Sequence, residues 1–380
     1  MKSVAIFVHS TELGGAEQST LTLLRHLDRA RWSPTVIHHA APALAAMLEE
    51  VAELGVPDLV VPEMPEGWLG ARRGAAFARL LRDRGFDVFH AQLTWPLAAK
   101  FALAAAVMAR VPAVVGTIHS YPEFAMTRTT AVQQRVLGRA VGRYIAISSD
   151  LADKLHSRLH WPRERIVVVH NGIETSNGHR APRVDPALHA ALAGPHDLPV
   201  VLALARLVHD KGIDVLVEAA AAIPRARFAI AGDGPESEAL TRQIAELGLG
   251  ERVSLLGWRT DVPALLAASD VFVMPSRNEV VAMSMLDAMA AGTPIVATAV
   301  GSVAEAVDDE RSGLLVPPGD PAALARAIST LLADPALRER YARAALADVT
   351  ERYSTQAMAT AVGEVYGRLL SRAPSRGIRR

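Results

Sequence analysis

The residues best suited to chemistry stand in turns that directly follow short apolar runs. After the run 200–204 comes Arg206-Leu207-Val208-His209-Asp210-Lys211-Gly212. Two cations lie five apart in one turn before a helix, whose free amides add further donors. That set suits a diphosphate, which needs charge neutralisation when it becomes a leaving group. After the run 271–274 comes Pro275-Ser276-Arg277-Asn278-Glu279, and Asp287 follows eight residues beyond Glu279 on the next helix. The amides near Met283 open that helix and can hold phosphate, and two acids bracketing the turn can grip hydroxyls. Glu279 taken singly is also explained as an acid at a helix start.

Three further turns are weaker singly. Gly14-Gly15-Ala16-Glu17 precedes a helix, and paired glycines let a backbone approach an anion or a sugar hydroxyl. An ordinary tight turn explains them as well, since the pattern G-x-G-x-x-G is not completed. His119 stands just past a strand end, where it reads equally as a proton-exchanging group or as a satisfied loop histidine, one of 13 in the chain. Gly232-Asp233-Gly234-Pro235 allows close approach of a ligand, while Asp233 reads also as a helix cap.

The elements that position these turns alternate in type. Strands fit 4–8, 35–38, 58–61, 88–91, 113–117, 144–147 and 166–169, with helices such as 16–27 between them. From 175 to 198 the periodicity lapses among Pro, Gly, His and Asn, which predicts a linker. The alternation resumes with strands at 200–204, 228–231, 253–256, 271–274, 294–298 and 314–316. Helices fit 213–222, 235–247, 283–290 and 321–332, and a last one fits 355–370. The basic residues 371–380 are expected to be a disordered tail. The pattern predicts an α/β chain of two Rossmann-like parallel-sheet domains, 1–174 and 199–354, facing each other across a cleft. Ligands in such sheets bind beyond the strand C-termini.

Composition narrows the function. The 380 residues carry 40 Lys+Arg and 40 Asp+Glu, a balance that argues against a nucleic-acid partner. With no Cys, disulfides, thiol nucleophiles and Cys-ligated metals are excluded. The apolar run 4–8 is too short for a signal peptide. The stretch 96–115 is broken by Lys100, Arg110 and Pro112, so no transmembrane segment is expected. A cytoplasmic location is expected. Peripheral membrane contact would fall at Arg72-Arg73 and 79–84, which also read as a solvated helix face.

Taken together, these segments resemble a family 4 glycosyltransferase of the GT-B type, over nearly the whole chain. The resemblance rests on Gly14-Gly15-Ala16-Glu17, Ala146-Ile147-Ser148, His170-Asn171-Gly172-Ile173-Glu174, Ala205-Arg206-Leu207 with Lys211-Gly212, and Gly232-Asp233-Gly234-Pro235. Leu256-Gly257, the pair Glu279 and Asp287, Gly301 to Glu305, and Ser312-Gly313 to Gly319-Asp320 complete it.

The resemblance implies retaining, metal-independent transfer of a sugar from a nucleotide-sugar donor, UDP above others. The acceptor would be a small molecule, a glycan or a lipid-linked group, in polysaccharide, glycoconjugate or secondary-metabolite synthesis. No cofactor is expected beyond the nucleotide sugar. By the same resemblance, Arg206, Lys211, Gly15, Ala282 and Met283 hold the diphosphate, and Glu279 and His119 stand at the reacting sugar. Asp287 takes the ribose, while Gly232, Gly257 and Trp258 border the base or donor. Gly14 and Gly15 form the acceptor-side loop, and the helix 355–370 crosses back to the first domain.

The chain departs from the family in having Val280-Val281-Ala282 where Gly-Phe-Gly is usual, and Asp287 where Glu is usual. Val resists the backbone freedom that Gly gives. An altered donor, a nucleotide-sugar epimerase or hydrolase, or an inactive nucleotide-sugar-binding homologue are the readings those departures leave open. The richness in Ala and Arg fits a bacterial source.

Overall fold

The computed structural model describes residues 1–10, 14–121, 127–174, 185–279 and 283–372. The chain divides into two units. The first holds Met1–Gly172 together with the last helix, Thr355–Arg372, and the second holds Ile173–Ser354.

The first unit is built on a seven-stranded parallel sheet. Its strands are β1 (Lys2–Val8), β2 (Trp32–His38), β3 (Asp58–Val60), β4 (Val88–Leu93), β5 (Ala113–Ile118), β6 (Arg143–Ala146) and β7 (Ile166–Val168), in the order β3-β2-β1-β4-β5-β6-β7. Every residue of β4 and β5 is buried, as expected of strands with helices on both faces. The helix Thr355–Arg372 supplies part of that cover. Its Met358, Val362, Val365 and Tyr366 pack in one cluster with Val4, Ile6, Leu24 and Trp32. The Tyr366 ring meets Trp32 edge-on at 5.2 Å, and its hydroxyl lies 2.6 Å from His90 Nδ1.

The second unit has a six-stranded parallel sheet. It comprises β8 (Val200–Leu204), β9 (Arg227–Ala231), β10 (Val253–Leu255), β11 (Val271–Met274), β12 (Ile295–Thr298) and β13 (Leu314–Val316), ordered β10-β9-β8-β11-β12-β13. Both sheets therefore reverse direction of winding beside their first strand, between β1 and β4 and between β8 and β11. Loops leaving the strand C-termini diverge there and open a crevice.

Three sequence expectations need correction. The linker 175–198 contains a helix, Pro186–Ala193. Asp185 caps it by accepting from the amides of Ala187 and Leu188, and Pro186 sits in its first turn. Its apolar run is short and flanked by Pro and Gly, which hid the period. A further helix, Pro335–Arg352, was not anticipated beyond 321–332. Only Tyr341, Ala342, Ala345 and Val349 are buried along its 18 residues, a stripe too thin to stand out among its charges. The final helix runs to Arg372, two residues into the segment expected as a tail; the rest of that tail lies outside the described residues. Among the described residues, no helix is long and apolar enough to cross a membrane.

Candidate active site

The second unit carries a pocket of about 410 Å³ at the C-terminal ends of β8, β9 and β11. Its apolar floor is Leu204, Ala205, Ala231, Val262 and Met283. Arg206, Lys211, Arg259, Glu279 and Ser284 bring the polar groups, and Gly232 and Trp258 complete the wall.

Local sequence explains how these side chains meet. Lys211 ends a single 3-10 turn, His209–Lys211, and Gly212 follows in the left-handed region at φ +63. A Cβ at Gly212 would stand 2.1 Å from the Pro275 carbonyl, so only glycine lets this turn press on the chain leaving β11. Gly301, at φ +51, gives the same close approach to the carbonyl of Glu279, which a Cβ would meet at 1.7 Å. Glu279 is thus gripped by backbone on one side and by Lys211 on the other.

The Lys211 ammonium donates to Glu279 Oε2 at 2.5 Å, and Ser276 Oγ donates to the same oxygen at 3.2 Å. Glu279 is 8% exposed and Lys211 21%. An ammonium has three N–H donors, so this pair leaves Lys211 able to meet an anion as well. Arg206 is exposed on the pocket rim, and among the described residues its guanidinium has no hydrogen bond or ion pair. The pocket therefore presents three cations: Arg206 has no partner among the described residues, Lys211 is shared with Glu279, and Arg259 is forked onto Asp261.

Arg277 holds the two loops in register. Its Nη1 and Nη2 donate to Asp214 Oδ1 and Oδ2 at 2.7 and 2.6 Å, Nη1 donates to the His209 carbonyl at 2.8 Å, and its amide donates to the Asp210 carbonyl at 2.7 Å. Burial pushes the Asp214 carboxyl up, but the Arg277 fork and the backbone amides of Val215 and Asp214 together outweigh it and hold the group below its ordinary range. Thr298 Oγ1 donates to the Ser276 carbonyl at 2.5 Å, which fixes the same loop from β12.

Of the residues expected from sequence, Arg206, Lys211, Gly232, Trp258, Glu279 and Met283 come together in this pocket. Trp258 is 75% exposed, a flat surface ready for stacking. Gly257 is not among the lining residues; its carbonyl accepts from the Gly232 amide at 2.8 Å and so shapes the wall. Asp287 is also not a lining residue. It is half-buried on the helix Met283–Ala291, and burial pushes its carboxyl up to about 6. Ala282, with Val280 and Val281, lies outside the described residues.

Gly14, Gly15 and His119 belong to the first unit. Gly14 is the cap residue of the helix Gly15–His26, and its amide donates to Glu17 Oε2 at 2.9 Å. The acid of the Gly-Gly-Ala-Glu run is thus spent on a helix start, while a Cβ at Gly15 would meet nothing within 4 Å. His119 follows β5; its Nε2 lies 2.8 Å from Gln92 Oε1, and burial pushes its ring down to about 4.

Sequence reading missed Arg277, Asp214, Ser284, Arg259 and Gln92. Arg277 sits within the run singled out around Glu279, but its partner is 63 residues away, and no local spacing shows such a pair. Among the described residues, no group of three or more His, Cys, Asp or Glu is placed to hold a metal ion.

Comparisons with known proteins identify the family and the fold. Residues 184–348 match the model of glycosyl transferases group 1, and 13–177 match that of glycosyltransferase family 4. The glycogen synthase of Mycobacterium tuberculosis is 31% identical over 331 residues, 81% of this chain and 76% of that protein. The lipopolysaccharide core biosynthesis glycosyltransferase LpsE of Rhizobium meliloti is 36% identical over 218 residues, 57% of this chain and 61% of LpsE. The match thus spans about three-fifths of that relative's length. A crystal structure of Anabaena HepE in complex with UDP and glucose superposes with a TM-score of 0.77 at 25% identity, covering 97% of this chain and all of HepE. With its paired Rossmann-like sheets and matches along both halves, the chain belongs to the GT-B-type glycosyltransferases of family 4, the glycosyl transferases group 1.

Proposed function

We propose that this protein is a retaining glycosyltransferase that moves a sugar from a UDP-sugar to an acceptor hydroxyl without a metal ion. The observation that carries the reading is the convergence of Arg206 and Lys211 on one pocket with Glu279. The relatives support it: LpsE serves lipopolysaccharide core biosynthesis, and HepE holds UDP and glucose.

In the proposed reaction the bond between the sugar C1 and the diphosphate oxygen breaks, and C1 bonds to the acceptor oxygen on the same face. The leaving phosphate oxygen takes the acceptor's proton. Charge grows on the diphosphate as it leaves, and Arg206 and Lys211 meet it, supplying the positive charge that a metal would otherwise bring. Glu279 accepts from sugar hydroxyls and orients the ring; held by Lys211 and Ser276, it is a positioning group rather than a base. Trp258 offers its exposed face to the base. Asp287 is assigned to the ribose, which requires it to move from its half-buried position or to act through an intervening water. The acceptor is a small molecule, a glycan or a lipid-linked group, and the use of nucleotide sugars supports a cytoplasmic place of action.

The test is product analysis with UDP-glucose, UDP-galactose and UDP-N-acetylglucosamine against an acceptor panel, with and without chelator. The α-linked product and chelator-insensitive UDP release are expected. A β-linked product would overturn retention, loss of turnover with chelator would overturn metal independence, and epimerised or free sugar without acceptor would overturn transfer.

A further inference from the structure

We propose that Gln92 holds the His119 imidazole as its Nε2–H tautomer, so that Nδ1, covered in the free protein, is kept as a hydrogen-bond acceptor for a hydroxyl or amine N–H of a ligand whose binding uncovers it. Gln92 is the penultimate residue of β4, and His119 is the first residue after β5. The two strands pair in parallel with Leu93 opposite Ile118, and the His119 amide donates to the Leu93 carbonyl at 2.9 Å. The backbone therefore brings both side chains to one point of the sheet edge.

The Nε2 to Oε1 distance is 2.8 Å. A carboxamide oxygen can only accept, so the proton sits on Nε2. Burial keeps the ring neutral near pH 7, which leaves Nδ1 without a proton. Nδ1 is itself buried, and among the described residues it has no partner. Turning the amide over would put the proton on Nδ1 and bury an unpaired donor. Orphaned buried donors are rarer in folded proteins than under-used acceptors, which favours the arrangement found.

His90 shows what a histidine with no such duty looks like on the same sheet. It is 1% exposed, its Nδ1 meets the Tyr366 hydroxyl at 2.6 Å, and its Nε2 meets Thr117 Oγ1 at 2.7 Å. Both nitrogens are satisfied within the fold. His119 keeps one back. Gln92 is a positioning residue by this account, since it acts through the imidazole. The tautomer stands without any assumption about activity; that the donor group belongs to a sugar substrate rests on the transferase reading above.

Nitrogen chemical shifts of the full chain, labelled with ¹⁵N-histidine, test this directly, with the His119 signals assigned by their loss in His119→Gln. In the free protein at pH 7.5, Nε2 is expected at a protonated, pyrrole-type shift and Nδ1 at an unprotonated, pyridine-type shift. In Gln92→Leu both signals are expected to move towards averaged values, while Gln92→Glu keeps the wild-type tautomer. A pyrrole-type Nδ1 in the free protein, or an unchanged pattern in Gln92→Leu, would overturn the proposal. UDP-glucose then serves as the probe of the substrate reading. If it stabilises the protein against heat, yet Gln92→Leu turns over as fast as wild type, the tautomer has no part in the reaction and the proposal fails. If UDP-glucose does not bind, the donor assignment fails while the shifts of the free protein still decide the tautomer.

Discussion

At the strand ends of the first sheet stand His9, His39, Gln92 and His119; at those of the second stand Arg206, Lys211 and Glu279. The two sheets share the strand order that winds outward on both sides of the first strand. Their chemistry differs in kind. In the first unit burial drives the imidazoles towards neutrality. His9 is pushed down to about 4 by burial and then by His39, and His119 is pushed down to about 4 by burial. His39 donates from Nδ1 to the Val61 carbonyl at 3.2 Å and, like His119, keeps its other nitrogen unpartnered among the described residues. The second unit instead pairs Lys211 with Glu279 and exposes Arg206. A neutral edge selects through the direction of its hydrogen bonds, whereas a charged one selects through electrostatics. The same strand order thus carries a neutral, largely buried set of imidazoles in one unit and a set of charged side chains in the other.

The largest effect is expected from Lys211→Ala, which removes the charge that defines the second edge. It leaves a carboxylate that is 8% exposed without its ammonium. Turnover with a UDP-sugar should fall about 10³-fold in kcat/KM, in line with the loss of a main transition-state donor. Chemical denaturation should show a loss of about 2–3 kcal/mol in the free protein, because one member of a nearly buried pair is gone. Unchanged kinetics would dissolve the contrast between the edges.

Asp287 is the exception within the second unit, a carboxyl that burial moves towards neutrality as it moves the imidazoles. Its folded pKa is raised, so the folded protein holds this proton more tightly than the unfolded chain does. The resulting stability is complete below about pH 4 and is lost as pH rises through about 6. Asp287→Asn should therefore stabilise the free protein by about 2 kcal/mol at pH 7.5, with the gain vanishing towards pH 4. Melting curves of both proteins across that range check this; a gain that grows on acidification would contradict it.

Arg277→Ala should weaken UDP binding about tenfold by freeing the Lys211 turn from the Glu279 loop, with Arg277→Lys recovering little of it because an ammonium cannot reproduce the fork. Calorimetric titration measures this. Smallest is Tyr366→Phe, which takes the hydroxyl from His90 and should cost about 1 kcal/mol in chemical denaturation without changing UDP affinity.

Much of the charged edge was legible in the sequence, because Arg206, Lys211 and Glu279 lie in turns that interrupt clear apolar runs. What the turns could not show was their mutual support. Arg277 reaches Asp214 across 63 residues, and Gln92 reaches His119 across 27; both links are set by which strands become neighbours. Spacing placed Asp287 on the right helix, but its burial there depends on how that helix packs. The helices Pro186–Ala193 and Pro335–Arg352 escaped for opposite reasons, one being too short to show a period and the other too charged.

The most direct measurement is calorimetric titration of UDP into the full chain and into Arg206→Ala and Lys211→Ala. Binding to the wild type is expected, with affinity falling at least tenfold in each variant. Equal binding to all three, or none by the wild type, would contradict the assignment of this pocket to a nucleoside diphosphate.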